Sequence, residues 1–246
     1  MLFRSVQGII QNSYAHISDY SLYTMLRDCF DANKDGIISS GEAQADWNQV
    51  LARGSSYAKS VTVNGTVFRY LDFSGVNFSS LKGIEYFVNL QGLSFASSSI
   101  TDIACLSSLT QLNYLDLSDN AITDISAFAY SDALQYLNLA DNQITSIEAL
   151  RYLPALETLD LTNNKITDFD PLTVTDSLIS LTLTGMKNAN GQTFDNDPAT
   201  LYSLATIQIN NPTVTFVYDQ NIRSEERRVG KECYNMCSAG GGGGAG

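Results

Sequence analysis

A hydrophobic signature returns every 22 residues between Phe68 and Leu178. The first position of each beat is Phe68, Leu90, Leu112, Leu134, Leu156 and Leu178. Apolar pairs follow at the fourth and sixth places: Leu71/Phe73, Leu93/Phe95, Leu115/Leu117, Leu137/Leu139, Leu159/Leu161 and Leu181/Leu183. A fixed period of this length marks a chain whose units cannot close a core alone and bury their apolar faces against their neighbours. The expectation is a solenoid running over residues 68–187, with the first, fourth and sixth residues of each beat facing inward. Such a body presents a long surface instead of closing around a reaction, which biases the reading toward recognition.

The full spacing, Leu-x-x-Leu-x-Leu-x-x-Asn-x-Ile, is cleanest at Leu112, Leu115, Leu117, Asn120 and Ile122, and recurs from Leu134 to Ile144 and from Leu156 to Ile166. It resembles the leucine-rich-repeat pattern. The implied fold is an α/β solenoid, a right-handed superhelix because parallel crossovers take that hand. Short parallel strands are expected near 70–73, 92–95, 114–117, 136–139, 158–161 and 180–183, with leucines inward and their neighbours outward. Ile125/Phe128, Ile147/Leu150 and Phe169/Leu172 form a second apolar set closing each coil. Asn120, Asn142 and Asn164 fall where the chain leaves the strand, placed to satisfy backbone groups that a narrow coil turns inward. Val76, Ser98 and Met186 replace that asparagine in the outer coils.

Ahead of the repeats lies Asp31-Ala-Asn-Lys-Asp-Gly-Ile-Ile-Ser-Ser-Gly-Glu42. Oxygen donors at loop positions 1, 3, 5, 9 and 12, with glycine at 6, follow the twelve-residue EF-hand calcium loop. Calcium is a hard cation that takes six to eight oxygens at roughly 2.3–2.6 Å, hence the run of carboxylates and carbonyls. Asp31, Asn33 and Asp35 are expected to offer side-chain oxygens, Ile37 its carbonyl, Ser39 a direct or water-mediated oxygen, and Glu42 both carboxylate oxygens. The competing reading is an Asp/Asn/Gly-rich turn that only caps a helix. Ser18 is the expected N-cap of an upstream helix carrying Leu22, Met25, Leu26, Cys29 and Phe30. Ala43, Trp47, Val50 and Leu51 mark a downstream amphipathic stretch, so residues 1–60 read as a small helical cap. Because one loop lacks the paired hand of a sensor, calcium is expected to act as a structural clip.

Asn64-Gly65 between alternating β-formers signals a two-residue hairpin over 61–67, expected to cover the open edge of the first coil. Beyond Leu178 the period breaks. Leu204, Ile207 and Ile209 resume the leucine spacing after 26 residues instead of 22, and Thr213 to Tyr218 alternates like a strand. Residues 188–222 therefore read as an irregular last repeat entering a further β domain.

Arg223 to Cys233 resembles the conceptual translation of a widely used short-read sequencing adapter, and a glycine run, Gly240 to Gly244, follows. Residues 223–246 are read as a non-native tail, and the natural chain is expected to continue past Ile222. Setting the tail aside removes 4 of 14 basic and 3 of 26 acidic residues, leaving 10 against 23 in residues 1–222, a net charge of −13. That balance argues against nucleic acid and against anionic membrane surfaces, and no stretch is long enough to span a bilayer. Cys29 and Cys105 make neither a disulfide framework nor a zinc site and read as buried, inert thiols. The start of the chain lacks the long apolar centre of a signal peptide, and no residue pattern speaks to oligomeric state.

The calcium loop, the repeats and the segment Leu81-Lys-Gly-Ile-Glu-Tyr-Phe-Val-Asn-Leu90 together resemble bacterial surface or secreted proteins of the internalin-like type, over about residues 20–186. What that resemblance implies is adhesion, or binding of a protein or glycan, on the concave face, at the cell surface or outside the cell. Outward columns are expected at Tyr70, Gly92, Tyr114, Tyr136, Thr158 and Ser180, and at Asp72, Ser94, Asp116, Asn138, Asp160 and Thr182. Tyr70, Asp72, Tyr114, Asp116, Tyr136, Asn138 and Asp160 are the candidate ligand-binding residues. Catalysis finds little support: His16 is the only histidine, and Asp116 and Asp160 would stand about 9–10 Å apart on an open face. The expectation is a noncatalytic recognition module. Two alternatives stand beside it: an intracellular scaffold for a partner enzyme, and the noncatalytic arm of a secreted hydrolase.

Overall fold

The computed structural model describes residues 17–186 and 198–217. Three short helices open the described chain: α1 (Tyr20–Phe30), α2 (Ser40–Ala43) and α3 (Trp47–Ala52). A hairpin of β1 (Ala58–Val63) and β2 (Thr66–Asp72) follows, then five three-residue strands: β3 (Gly92–Ser94), β4 (Tyr114–Asp116), β5 (Tyr136–Asn138), β6 (Thr158–Asp160) and β7 (Ser180–Thr182). Helix α4 (Pro198–Asn210) and strand β8 (Thr215–Val217) complete it. All eight strands form one sheet in sequence order. Only β1–β2 is antiparallel; every later pair is parallel, with partners 22 residues apart from β2 to β7. The fold is a leucine-rich-repeat solenoid.

Each coil returns from its strand through a short 3₁₀ turn, at Ile84–Tyr86, Ala104–Ser108, Ser126–Phe128, Glu148–Leu150 and Asp170–Val174. The leucines of the strands and the second apolar set meet in one continuous core, where Leu115, Leu137 and Leu159 are fully buried beside Phe128 and Leu150. Two structural columns repeat at the end of each strand. The first is a left-handed residue at Gly75, Ser97, Asp119, Asp141, Asn163 and Gly185, which turns the chain sharply and suits Gly, Asn and Asp. The second is the asparagine column. Asn142 Nδ2 donates to the carbonyls of Leu117 (2.9 Å), Leu139 (3.1 Å) and Ala140 (3.1 Å), while its Oδ1 accepts from the Ile122 amide at 3.0 Å. Asn164 repeats the set one coil later. Four inward backbone groups per coil are thereby satisfied, as the spacing requires.

Three expectations need correction. Phe68 does not point inward with the other first-position residues: β2 stays extended from Thr66 to Asp72, so Phe68 shares a face with Tyr70 and Asp72. The N-cap of α1 is Asp19 in place of Ser18, its carboxylate accepting from the Leu22 amide at 3.0 Å. Leu204, Ile207 and Ile209 lie in α4, where Leu201, Leu204, Ala205 and Ile207 share a buried helical stripe. Helical spacing and leucine-repeat spacing overlap over so short a run, and Pro198 opens the helix. Asn211 then ends α4 and copies the asparagine column: it accepts from the Leu178 amide and donates to the Thr175 and Ile207 carbonyls. Strand β8 joins β7 in parallel with Ser180 opposite Thr215, a 35-residue step. The described part of 188–222 therefore extends the solenoid sheet. The tail from Arg223 and His16 lie outside the described residues.

Candidate functional site

On the outward face of the sheet, the register places the expected columns side by side. Tyr114 pairs with Tyr136 and Tyr136 with Thr158; Asp116 pairs with Asn138 and Asn138 with Asp160. The polar column is held in place by the backbone. Asp72, Asp116, Asn138 and Asp160 each accept through Oδ1 from the amide two residues ahead, at 3.1, 3.0, 3.0 and 2.9 Å. Ser118 Oγ adds a 2.7 Å bond to Asp116. One oxygen of each is pinned, which leaves the second carboxylate oxygens of Asp72, Asp116 and Asp160 as positioned acceptors and Asn138 Nδ2 as a donor. Neighbouring strands lie about 4.8 Å apart, with Ser94 between Asp72 and Asp116.

The aromatic column differs from the expectation. Tyr114 and Tyr136 stack at 4.5 Å between centroids and 10° between planes, and Tyr70 stacks on Tyr114 at 4.6 Å and 25°. Tyr70 and Tyr114 belong to strands two apart. They meet because Gly92 lies between them: a Cβ there would collide with the Arg69 carbonyl and with Tyr70. Tyr114 is therefore closed on both ring faces and only 4% exposed. In this arrangement it supports the column from within, under Phe68. Burial raises the Tyr114 phenol, with Tyr136 and the Asp116 carboxylate adding to the effect. Burial, then the Asp116 and Asp160 charges, pushes Tyr136 up to about 12, and burial with Asp72 raises Tyr70.

Phe68 was missed as a part of this surface. It is 4% exposed yet lies outside the solenoid core, packed at 5.6 Å on Tyr114 and 6.2 Å on Tyr136. The turn at Asn64 reaches further, its Nδ2 donating to Thr158 Oγ1 at 3.0 Å. The hairpin thus caps the sheet edge as expected and also arches over the face. A signal existed: β-formers run unbroken from Thr66 past Phe68, which forces Phe68 onto the face of Tyr70.

In the cap, Lys34 and Gly36 take the left-handed conformations of a tight loop. Asp31 Oδ2 accepts from the Gly36 amide at 2.9 Å, Asn33 Oδ1 from Asp35, and Asp35 Oδ1 from Ile37. Asp31 Oδ1 is buried with no hydrogen-bond partner. Glu42 closes the loop on itself: Oε1 accepts from Ala32 at 2.8 Å and more weakly from Asn33, and Oε2 accepts from the Ser39 amide and hydroxyl. Burial works to raise the Glu42 carboxyl, but the bonds from Ser39, Ala32 and Asn33 win and hold it below its ordinary value. Ser39 and Glu42 form a capping box on α2. Among the described residues no three of His, Cys, Asp and Glu converge as a metal site. The donor types fit calcium, and the orphaned Asp31 oxygen fits a cation. Glu42, however, would have to give up its amide bonds to bind one.

Cys29 is buried as expected, whereas Cys105 is only half-buried. Burial pushes Cys29 up to about 11 against a weak bond to Ser55. Burial, with Glu85 and Asp102 nearby, pushes the half-buried Cys105 up to about 12. Both stay protonated at neutral pH.

Comparison with known proteins agrees with the fold. A family model described as leucine-rich repeats (two copies) matches residues 88–130 and 132–174. The structure is similar to an internalin, inlF, from Listeria monocytogenes, with a TM-score of 0.60 and 23% identity, over 81% of this chain and 55% of that one. It is also similar to internalin C2 from the same organism, with a TM-score of 0.52 and 21% identity, over 81% of this chain and 83% of that one. This chain thus spans little more than half of the first of these. No curated protein matches the sequence significantly. No helix among the described residues is long and apolar enough to cross a membrane.

Proposed function

We propose that this chain is a noncatalytic recognition module that binds a protein or glycan on the outward face of its repeat sheet, at a bacterial surface or outside the cell. The observation that carries the reading is the row of pinned polar side chains at Asp72, Asp116, Asn138 and Asp160, three carboxylates and one amide held in register by the sheet. A preorganised row loses little freedom on binding, and that is what converts contacts into affinity. A protein ligand is favoured over a glycan, because a sugar stacks on an open ring face and both faces of Tyr114 are closed. The negative row selects a ligand with donors or positive charge. The internalin-like resemblance of loop and repeats supports the location.

Calcium belongs to this proposal as the clip of the cap. Asp31, Asn33, Asp35 and Glu42 would hold it through side chains, Ile37 through its carbonyl and Ser39 directly or through water. When bound, the cation neutralises crowded carboxylates between α1 and α2.

The test is a screen of the full chain against arrays of purified extracellular proteins and defined glycans. The Asp116→Ala/Asp160→Ala variant follows for every hit. An affinity loss of about tenfold or more is expected from the removal of two positioned acceptors. Hits that bind the variant unchanged would move recognition off this face.

A further inference from the structure

Phe68 is almost fully buried, and yet it stands outside the solenoid core. Its ring takes a seat on Tyr114 and Tyr136, entered at tilts of 39° and 48°. The strand that delivers it is attached to the sheet at one end only, since Leu71 and Asp72 alone of β2 pair with β3. From Thr66 to Tyr70 the strand is paired with β1 and otherwise lies across the tyrosines. Its tip is held by the Asn64–Thr158 bond, which is exposed and joins residues 94 apart. Val67, on the opposite side of the same strand, is 62% exposed. An isolated two-stranded hairpin is marginal in water. Beyond Tyr70, which itself stacks on Tyr114, the order of this arm therefore depends on one aromatic seat and one side-chain hydrogen bond.

We propose that the β1–β2 hairpin is a self-ligand of the recognition face. The Phe68 seat takes an aromatic side chain carried on an extended segment of a protein partner, which displaces the hairpin. The identity of the occupant is read from what already sits there: a phenyl ring on extended backbone, with an amide side chain four residues earlier bonding the Thr158 hydroxyl. A partner segment that repeats this pairing of aromatic ring and amide replaces both attachments at once. The β1–β2 ladder can stay intact as the arm lifts, because its six pairs join β1 to β2 alone, with Val61 opposite Phe68 and Lys59 opposite Tyr70. Lifting also uncovers Tyr136 beside Asn138 and Asp160, so occupation of the seat and access to the acceptor row are linked. The biological role of the seat rests on the proposed function, but its existence does not.

The experiment uses the full chain and a synthetic peptide of residues 61–70, together with the same peptide carrying alanine for phenylalanine. Phe68→Ala should bind the phenylalanine peptide at least about tenfold more tightly than the unaltered chain, because the tethered competitor is gone, and neither protein should bind the alanine peptide. In a second arm, Thr158→Val removes the tip bond without touching the hairpin. Hydrogen exchange of the Thr66–Tyr70 amides should then quicken severalfold while that of Leu137 and Leu159 is unchanged. Equal peptide affinity for the two proteins, no binding to Phe68→Ala, or unchanged exchange in Thr158→Val overturns the proposal. Should Phe68→Ala not fold, the exchange result decides. The array screen can fail while this experiment succeeds, and the reverse, so the two readings fall separately.

Discussion

The repeats from Leu90 to Leu183 and the cap from Asp19 to Asp72 hold themselves together in opposite ways. In the repeats one set of bonds is copied: each coil has its inward leucines and its left-handed turn, the three central coils have their asparagine at Asn120, Asn142 and Asn164, and each strand pairs with the next at the same register. In the cap no bond is copied. Asp19 joins α1 to the first coil through the amide and hydroxyl of Ser79, both at 2.7 Å. Arg53 reaches back to the carbonyls of Cys29 and Phe30, Asn89 donates to Gln44, and Asn64 spans to Thr158. Stability in the first region is the sum of like neighbour terms. In the second it rests on single long-range contacts, each replaceable without loss to the fold of the coils.

The largest effect should therefore come from breaking one rung of the copied set. Asn142→Ala strands the buried Ile122 amide and takes one of two donors from the carbonyls of Leu117, Leu139 and Ala140, which keep Asn120, Asn164 and the Asp119 amide. With water excluded, the cost should be about 3–5 kcal/mol by chemical denaturation, from one unsatisfied amide at about 1–3 kcal/mol and about 0.5–1.5 kcal/mol for each of the three carbonyl bonds lost. Asn164→Ala should cost the same within about 1 kcal/mol, because its partners are the same one coil on. Unequal losses would break the claim that the coils are interchangeable.

An intermediate effect is expected at the junction of the two regions. Asp19→Ala removes the α1 N-cap and both bonds from Ser79, for a loss of about 2 kcal/mol. The sign with pH follows from the direction of its shift. Burial acts to raise the Asp19 carboxyl, but the bonds from Leu22 and Ser79 outweigh it and hold it below the ordinary value of 3.8. Its contribution is thus complete above 3.8 and is lost as pH falls through the lower folded-state value. Stability curves of the unaltered chain and Asp19→Ala should run parallel above pH 5 and converge in acid. A constant gap down to pH 2 would show that the carboxylate charge plays no part.

The same contrast governs what could be read from the chain alone. Six beats of one pattern gave the strand positions, the inward leucines and the role of Asn120, Asn142 and Asn164, because a repeated local rule averages out its exceptions. Phe68 sat on the beat and still faced the other way, since the extended run from Thr66 overrode the first coil's register. Leu204, Ile207 and Ile209 matched the beat and formed a helix. The Tyr70–Tyr114 stack was illegible for a different reason: it needs two strands to be bridged across Gly92, a fact of the third dimension. The reach of Asn64 to Thr158 has no local signature at all. The acceptor row was legible because period two along a strand and 22 between strands fix it completely.

The smallest expected effect tests whether the cap also gains from a ligand the repeats cannot feel. Glu42 closes the loop by accepting from Ala32, Asn33 and Ser39, and Asp31 keeps one buried oxygen unpaired. Calcium would engage that oxygen and draw Glu42 away from its amides, so part of the binding free energy is offset by the bonds released. At 1 mM calcium and a Kd near 10⁻⁴ M the stabilisation is about 1.4 kcal/mol. That corresponds to a rise of a few degrees, at roughly 2–4 °C per kcal/mol. Glu42→Gln should abolish the rise, since it removes the bidentate carboxylate. Exchange protection at Leu137 and Leu159 should not respond to calcium in either protein, because neighbour contacts between coils do not pass through the loop. Scanning calorimetry with 1 mM calcium against chelator, beside hydrogen exchange, reads both halves. No calcium dependence of melting would leave Ser39 and Glu42 as a helix cap and nothing more. Calcium-dependent protection in the repeats would join the two regions into one cooperative body and end the comparison.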